Sequence, residues 1–342
     1  MILEKLVLAG DIGGTKTLLQ LVDVQDGARH TVYERRFDSA AHVDFNAIVG
    51  EFLYAAGFIP AAARPVAAAC FGVAGPIHGQ SAKITNLPWT INAGAVGAEF
   101  GIAKVHLIND FAAVGYGIEA LHPDDLATLQ AGEEESHGTR AVLGAGTGLG
   151  EGILLWQGNH YQALPSEGGH VDFAPADDDQ IGLLRHLQRL FGHVSCERIL
   201  SGSGLVRIFE YVVAASLAKP TPALQAAMLA IDPAAAISAY GLDERDPAAL
   251  KALDMFVAIY GAQAGNLALT LLPSGGVYVA GGIAPKIIAK LKRGGFVRAF
   301  NDKGRFAALT RRIPVRVVMN QKVGLMGAAL VASRLADENR VE

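Results

Sequence analysis

The sequence predicts an α/β fold in two domains, built on mixed sheets whose faces are covered by helices. Three observations point there. Short apolar runs alternate with helical patterns. A strand, glycine turn, strand unit occurs twice, near the start and in mid-chain. The length of 342 residues exceeds what one core comfortably fills.

The first unit of that kind is Leu6-Val7-Leu8-Ala9, then Gly10-Asp11-Ile12-Gly13-Gly14-Thr15, then Leu18-Leu19-Gln20-Leu21-Val22. It reads as a hairpin whose turn spans Gly10 to Thr15, not as a strand entering a helix. The second is Ala141-Val142-Leu143, the turn Gly144 to Gly150, and Gly152 to Trp156. Between them, Val66 to Phe71 forms a buried strand ended by Gly75-Pro76, and Val105-His106-Leu107-Ile108 forms another, ended by Asn109-Asp110. Phe111 then opens a helical pattern. The alanine-rich stretch from about Pro220 to Pro247 reads as helices joined by loops. No Ser/Gly-rich or Pro-rich linker separates the halves, so they are expected to be hinged instead of tethered.

Composition narrows the class. With 51% hydrophobic and 18% charged residues, the chain has ample material for a core and does not read as disordered. The net charge of −4, without a basic cluster, supplies no attraction for nucleic acid or an anionic membrane. Cys70 and Cys196 are far apart, which excludes a disulfide framework and predicts free thiols. No basic segment precedes an apolar run at the N-terminus, so no signal peptide is read. Met255 to Pro285 carries no charge but holds Gln263, Asn266 and Pro273, and reads as buried helix, turn and strand instead of a membrane span. A cytoplasmic protein is the expectation.

The chemistry starts with the glycines. In Gly10-Asp11-Ile12-Gly13-Gly14-Thr15, backbone N–H groups can converge on phosphate oxygens, with the Thr15 hydroxyl as a further donor. Asp11 repels phosphate, so its role would be to hold Mg²⁺ through water. Lys16 is uninformative. No Gly-x-x-x-x-Gly-Lys-Ser/Thr is present, which removes the P-loop NTPases. Gly144 to Gly150 superficially resembles a dinucleotide fingerprint, but a β-rich run follows where that fold needs a helix.

Away from the turns, polar residues gather in apolar surroundings. Asn109-Asp110 ends a strand, where the plain alternative is a helix cap. Ser166-Glu167-Gly168-Gly169-His170 sets an acid and an imidazole beside two glycines, and Cys196-Glu197-Arg198 adds another acid in a helical context. Taken alone, Glu197 would be a solvated helix residue and His170 a structural one. As a group they suit a polyol, whose hydroxyls both donate and accept and are best read by carboxylates, amides and imidazole.

Two glycine hairpins followed by Gly275-Gly276-Val277-Tyr278-Val279-Ala280-Gly281-Gly282 resemble, in that order, the superfamily of actin, sugar kinases and chaperone ATPases. The resemblance implies a two-domain actin-like ATPase (ribonuclease H-like) fold with an interdomain cleft, the small domain taking residues 1–120 with 320–342 and the large one 121–319. Gly-Asp-Ile-Gly-Gly-Thr, Ile-Asn-Asp-Phe, Gly-Ala-Gly-Thr-Gly-Leu-Gly, Glu-Gly-Gly-His-Val-Asp-Phe and Glu-Arg-Ile-Leu-Ser-Gly are similar to the bacterial glucokinases. Repressor-type sugar kinases carry a cysteine-bound zinc that this chain cannot supply, because only Cys196 lies in that half.

The resemblance implies an enzyme that moves the γ-phosphate of ATP to the 6-hydroxyl of glucose. It implies Asp110 as general base, with Asn109, Asp110, Glu167, His170 and Glu197 contacting the hexose. It implies Gly10, Asp11, Ile12, Gly13, Gly14 and Thr15, then Gly144, Gly146, Thr147 and Gly148, then Gly281 and Gly282 at the nucleotide, with Asp11 serving Mg²⁺ through water. A homodimer is also implied. Closure on sugar would keep water from competing for ATP. The alternatives are a kinase for another hexose, or a non-catalytic nucleotide switch of the actin or chaperone type.

Overall fold

The computed structural model describes residues 5–58, 65–84 and 87–337. The chain forms two compact units. One takes the residues up to His122, Tyr161–Pro165 and the residues from Lys322 on; the other takes Pro123–His160 and Ser166–Gln321.

In the first unit, β1 (Lys5–Ile12), β2 (Lys16–Gln25) and β3 (Ala28–Asp38) form an antiparallel meander. Then follow β4 (Val66–Val73), three short strands in a separate small sheet, β5 (Ile77–His78), β6 (Ser81–Lys83) and β7 (Thr90–Asn92), and finally β8 (Val105–Asn109). The main sheet runs β3-β2-β1-β4-β8, with β1, β4 and β8 parallel. Both faces are buried, which is why Leu6 to Ala9 of β1 is an unbroken apolar run and does not alternate. Leu6, Leu8 and Ile12 pack with Phe45, Ile48 and Phe52 of helix α1 (Phe45–Ala55). Val7 and Ala9 pack with Leu325, Ala328 and Ala332 of the C-terminal helix Val323–Asp337. Helices α2 (Ala93–Phe100) and α3 (Asp110–Gly117) flank β8 in the chain.

The second unit carries β9 (Leu126–Gln130), β10 (Arg140–Ala145), β11 (Leu149–Trp156), β13 (Val277–Ala280) and β14 (Val315–Val318); β12 (Tyr161–Leu164) is grouped with the first. Its strands run β11-β10-β13-β14-β9, with β10, β13 and β14 parallel. Under them lies the long helix Pro247–Leu271, with Tyr260 completely buried. The Tyr260 hydroxyl accepts from Ala145 N at 3.0 Å. The charge-free stretch after Met255 is therefore the second half of this helix, a turn and β13, as expected from its composition. The alanine-rich segment forms helices Pro222–Ala230 and Pro233–Leu242, each with proline in its first turn. Cys70 and Cys196 are free and buried. No helix among the described residues is long and apolar enough to cross a membrane.

Two turns are shorter than the sequence suggested. Gly10, Asp11 and Ile12 belong to β1, paired with Leu19, Leu18 and Thr17, so the first turn is only Gly13-Gly14-Thr15. Gly10 is small for packing: a Cβ there would come within 2.7 Å of Phe71 and 2.8 Å of Leu19. Likewise Gly144 lies in β10 opposite Gly150, and the second turn is Gly146-Thr147-Gly148.

Candidate active site

Three parallel strands of the first unit end side by side, with Asp11 opposite Gly72 and Val73 opposite Asn109. The carboxyl ends of such strands are where open α/β sheets place ligands. Gly72 keeps this edge narrow: a Cβ on it would lie 2.9 Å from the Ala113 side chain and 3.7 Å from the Asp110 Cα. Asn109 is the helix cap anticipated as its plain reading, its Oδ1 accepting from Phe111 N at 2.9 Å and Ala112 N at 3.3 Å. Its amide NH₂ is not used by the cap. Asp110 is the first residue of α3 and its Oδ1 also accepts from Phe111 N, at 2.9 Å. Cap and acid thus coexist in one dipeptide.

The first turn is closed by Gly13 N donating to Lys16 O at 2.9 Å. Asp11 beside it is pushed upward in pKa by burial, against a smaller lowering by Lys16. A hard oxygen donor of this kind suits Mg²⁺. Among the described residues no group of three His, Cys, Asp or Glu could cage a metal. A single carboxylate fits an ion that keeps most of its water and shares phosphate oxygens.

In the second unit, the Gly146–Gly148 turn is joined by two further segments. Gly202 N donates to Gly146 O at 3.0 Å, and Ile283 N donates to Ala145 O at 3.2 Å. Gly281 has φ +81° and its Cα is pressed against the Ala145 carbonyl, where a Cβ would sit 2.5 Å away. The late glycine segment therefore reaches the second hairpin. Gly146 and Gly282 present open backbone, with nothing within 4 Å of an added Cβ, and Thr147 is exposed.

Glu167, His170 and Glu197 come together in this unit. Glu197 sits in the 3-10 turn Cys196–Arg198, shorter than the helix its neighbours suggested. Its Oε2 accepts from Leu149 N at 3.0 Å, and its Oε1 lies 3.9 Å from His170 Nε2. His170 ends the turn Gly168–His170, whose amide bonds back to Glu167 O at 2.9 Å. The two segments are tied by Cys196 N donating to Val171 O at 2.9 Å. Gly169 is buried and leaves no room for a side chain against the Leu149 carbonyl. Glu167 and His170 are exposed and Glu197 is half-buried.

Two residues escaped the sequence reading. Glu151 on β11 is buried, accepts from Gln263 Nε2 at 2.8 Å, and lies under Gly168. Burial raises its pKa and the Gln263 bond partly offsets this. Its signal was a charge at an inward position of an otherwise apolar strand. Ser39, after β3, bonds to the first turn; no pattern in the sequence marks it.

Comparison with known proteins gives a consistent family. A family model described as Glucokinase matches residues 8–335. A glucokinase of Nostoc punctiforme is 45% identical over 96% of this chain and 99% of its own. One from Pectobacterium atrosepticum is 36% identical over 94% and 95%. The crystal structure of a glucokinase from an Antarctic psychrotroph superposes with a TM-score of 0.83 at 29% identity, covering 96% of this chain and 99% of that one. A ROK family glucokinase from Streptomyces griseus, in complex with glucose and AMPPNP, shares the fold with a TM-score of 0.64 at 22% identity, over 96% and 99%.

Proposed function

The chain belongs to the glucokinase family, as an ATP-dependent enzyme that phosphorylates glucose, and from that premise we propose that Asp110 is its general base. The observation that carries this is the strand edge, where Asp11 near the end of β1 lies opposite Gly72 of β4, and Asp110 directly follows β8 with its Cα 3.7 Å from where a Cβ on Gly72 would sit. A carboxylate at the first position of a helix is stabilised as the anion, the form a base needs. The Phe111 amide holds one oxygen and so orients the other. Proton removal from the sugar 6-hydroxyl by such a group contributes about 10² to 10⁴ in rate.

For the hexose we assign Asn109, Asp110, Glu167, His170 and Glu197 on the family resemblance. Asn109 offers its NH₂ as donor, since its oxygen is occupied by the cap. Glu197 offers Oε1, since Oε2 is held by Leu149 N. The phosphates are assigned to the two glycine turns, whose first amides, Gly13 N and Gly146 N, are used to close the turns themselves, and Gly281-Gly282 to the adenosine side. Mg²⁺ bound near Asp11 would neutralise charge on the polyphosphate. Positioning and charge stabilisation are the main work of phosphoryl transfer.

Asp110→Asn keeps the bond from Phe111 N and removes the base. Its kcat is expected to fall about 10²- to 10⁴-fold, with glucose affinity by calorimetry changed little; turnover near wild type would refute the assignment. One ADP formed per glucose consumed, and little ADP without glucose, distinguishes the kinase from a nucleotide switch. On family resemblance alone we also assign a Mg²⁺ requirement, a cytoplasmic location and a homodimer. Chelation of divalent metal should abolish turnover, and sedimentation should give twice the chain mass.

A further inference from the structure

We infer that Ser39 is a positioning residue for the nucleotide phosphates, because it binds the carbonyls of the Gly13-Gly14-Thr15 turn and thereby aims the turn's amides at them. This rests on the reading of that turn as a phosphate cradle.

Ser39 is completely buried and opens the 3-10 turn Ser39–Ala41, delivered by the end of β3, where Asp38 pairs with Lys16. Its hydroxyl donates to Gly13 O at 2.8 Å and its backbone N–H donates to Thr15 O at 3.2 Å. A serine hydroxyl carries one hydrogen. Since Gly13 O can only accept, the buried Thr17 hydroxyl, 2.9 Å away, must donate to Ser39 Oγ. The result is a directed chain from Thr17 to Ser39 to the turn.

The consequence follows from peptide geometry. No peptide bond is cis among the described residues, and in a trans peptide the C=O and N–H point in opposite directions. With the Gly13 carbonyl turned toward Ser39, the Gly14 N–H points away from it. With the Thr15 carbonyl turned the same way, the Lys16 N–H also points away. Gly13 N is already spent on Lys16 O. Ser39 thus draws two carbonyl oxygens, which would repel phosphate, to the rear of the turn and leaves two N–H groups at the front. Backbone N–H groups turned away from their carbonyls at the end of such a turn are donors for an anion.

The experiment compares three variants by full steady-state kinetics in both substrates, with thermal unfolding of the free protein. Ser39→Ala removes the hydroxyl bond and leaves the backbone one. Thr17→Val keeps volume and removes only the donor to Ser39. Gly14→Val puts a side chain in the turn itself. The expected result is a KM for ATP raised about five- to tenfold in Ser39→Ala and less in Thr17→Val, with the KM for glucose within twofold of wild type. A raised ATP KM in Gly14→Val alone would overturn the role of Ser39 and leave the cradle standing. No change of ATP KM in any variant would overturn the cradle itself. A loss of kcat and melting temperature with both KM values unmoved would make Ser39 a merely structural residue, and the inference would fail.

Discussion

Whether Glu197 can face a sugar depends on the residue at 148. A Cβ on Gly148 would overlap the Glu197 carboxylate, whose Oε2 is held by Leu149 N. Gly148→Ala should therefore displace the acid and raise the KM for glucose about tenfold, the scale of one charge-assisted hydrogen bond, and by more than the KM for ATP. Steady-state assays in the two substrates check this. Glu151 permits a second prediction. In the unfolded chain its carboxyl ionises near the ordinary 4.5, whereas burial raises that value in the fold. The folded state then binds more protons across that window, so its stability declines as pH rises from 4.5 through the raised value. Glu151→Gln keeps an acceptor for Gln263 and cannot ionise. Its melting temperature relative to wild type should climb between pH 4.5 and 7; a difference that stays flat would mean that burial does not penalise the ion. Asp110, Glu167, His170 and Glu197 stood out in the sequence because they interrupt apolar or glycine-rich runs. Glu151 also interrupts one, but what it supports, the Gly168 turn, is nearly twenty residues away. Ser39 interrupts nothing.

At the scale of elements, the helix that opens with Asp110 is seated by close backbone contact. A Cβ on Gly117 would overlap the Val323 carbonyl, and one on Gly327 would overlap the Ala113 carbonyl. The C-terminal helix thus lies directly on α3, at a separation that only glycine allows. Gly327→Ala should destabilise the protein by about 1–3 kcal/mol, as overpacking does, and should lower kcat by shifting α3; denaturant titration with kinetics separates the two. Strand and helix identities followed from the sequence where periodicity and breakers agreed, as at β4, β8 and the prolines of the alanine-rich helices. Turn boundaries did not. Glycine was read as a breaker at Gly10 and Gly144, but there it relieves crowding inside a strand. Composition cannot separate these two uses, since the neighbours that crowd Gly10 are Phe71, distant in sequence, and Leu19 across the hairpin. The meander strand β3 went unread because half of its residues are exposed and polar, and with it the segment that carries Ser39.

At the scale of the molecule, each unit has its own core. The first depends on chain from both ends, because Leu325, Ala328, Ala329 and Ala332 fill one face of the β1-β4-β8 sheet. Ending the chain after Gln321 should expose that face. Amide exchange in β1 and β4 should then lose protection while β10 and β13 retain theirs; protected β1 amides in the shortened chain would contradict the account. Sequence alone determined the class of fold, the two hairpins and the family, since these reside in short local patterns that keep their order along the chain. Tertiary structure decided which glycines are turns and which are packing, that Asn109 caps while Asp110 stays oriented, and that Ser39 lies against the first turn and Glu151 under Gly168. Those assignments depend on contacts between residues remote in sequence, and a linear pattern carries no record of which distant atom will fill the space beside a missing Cβ.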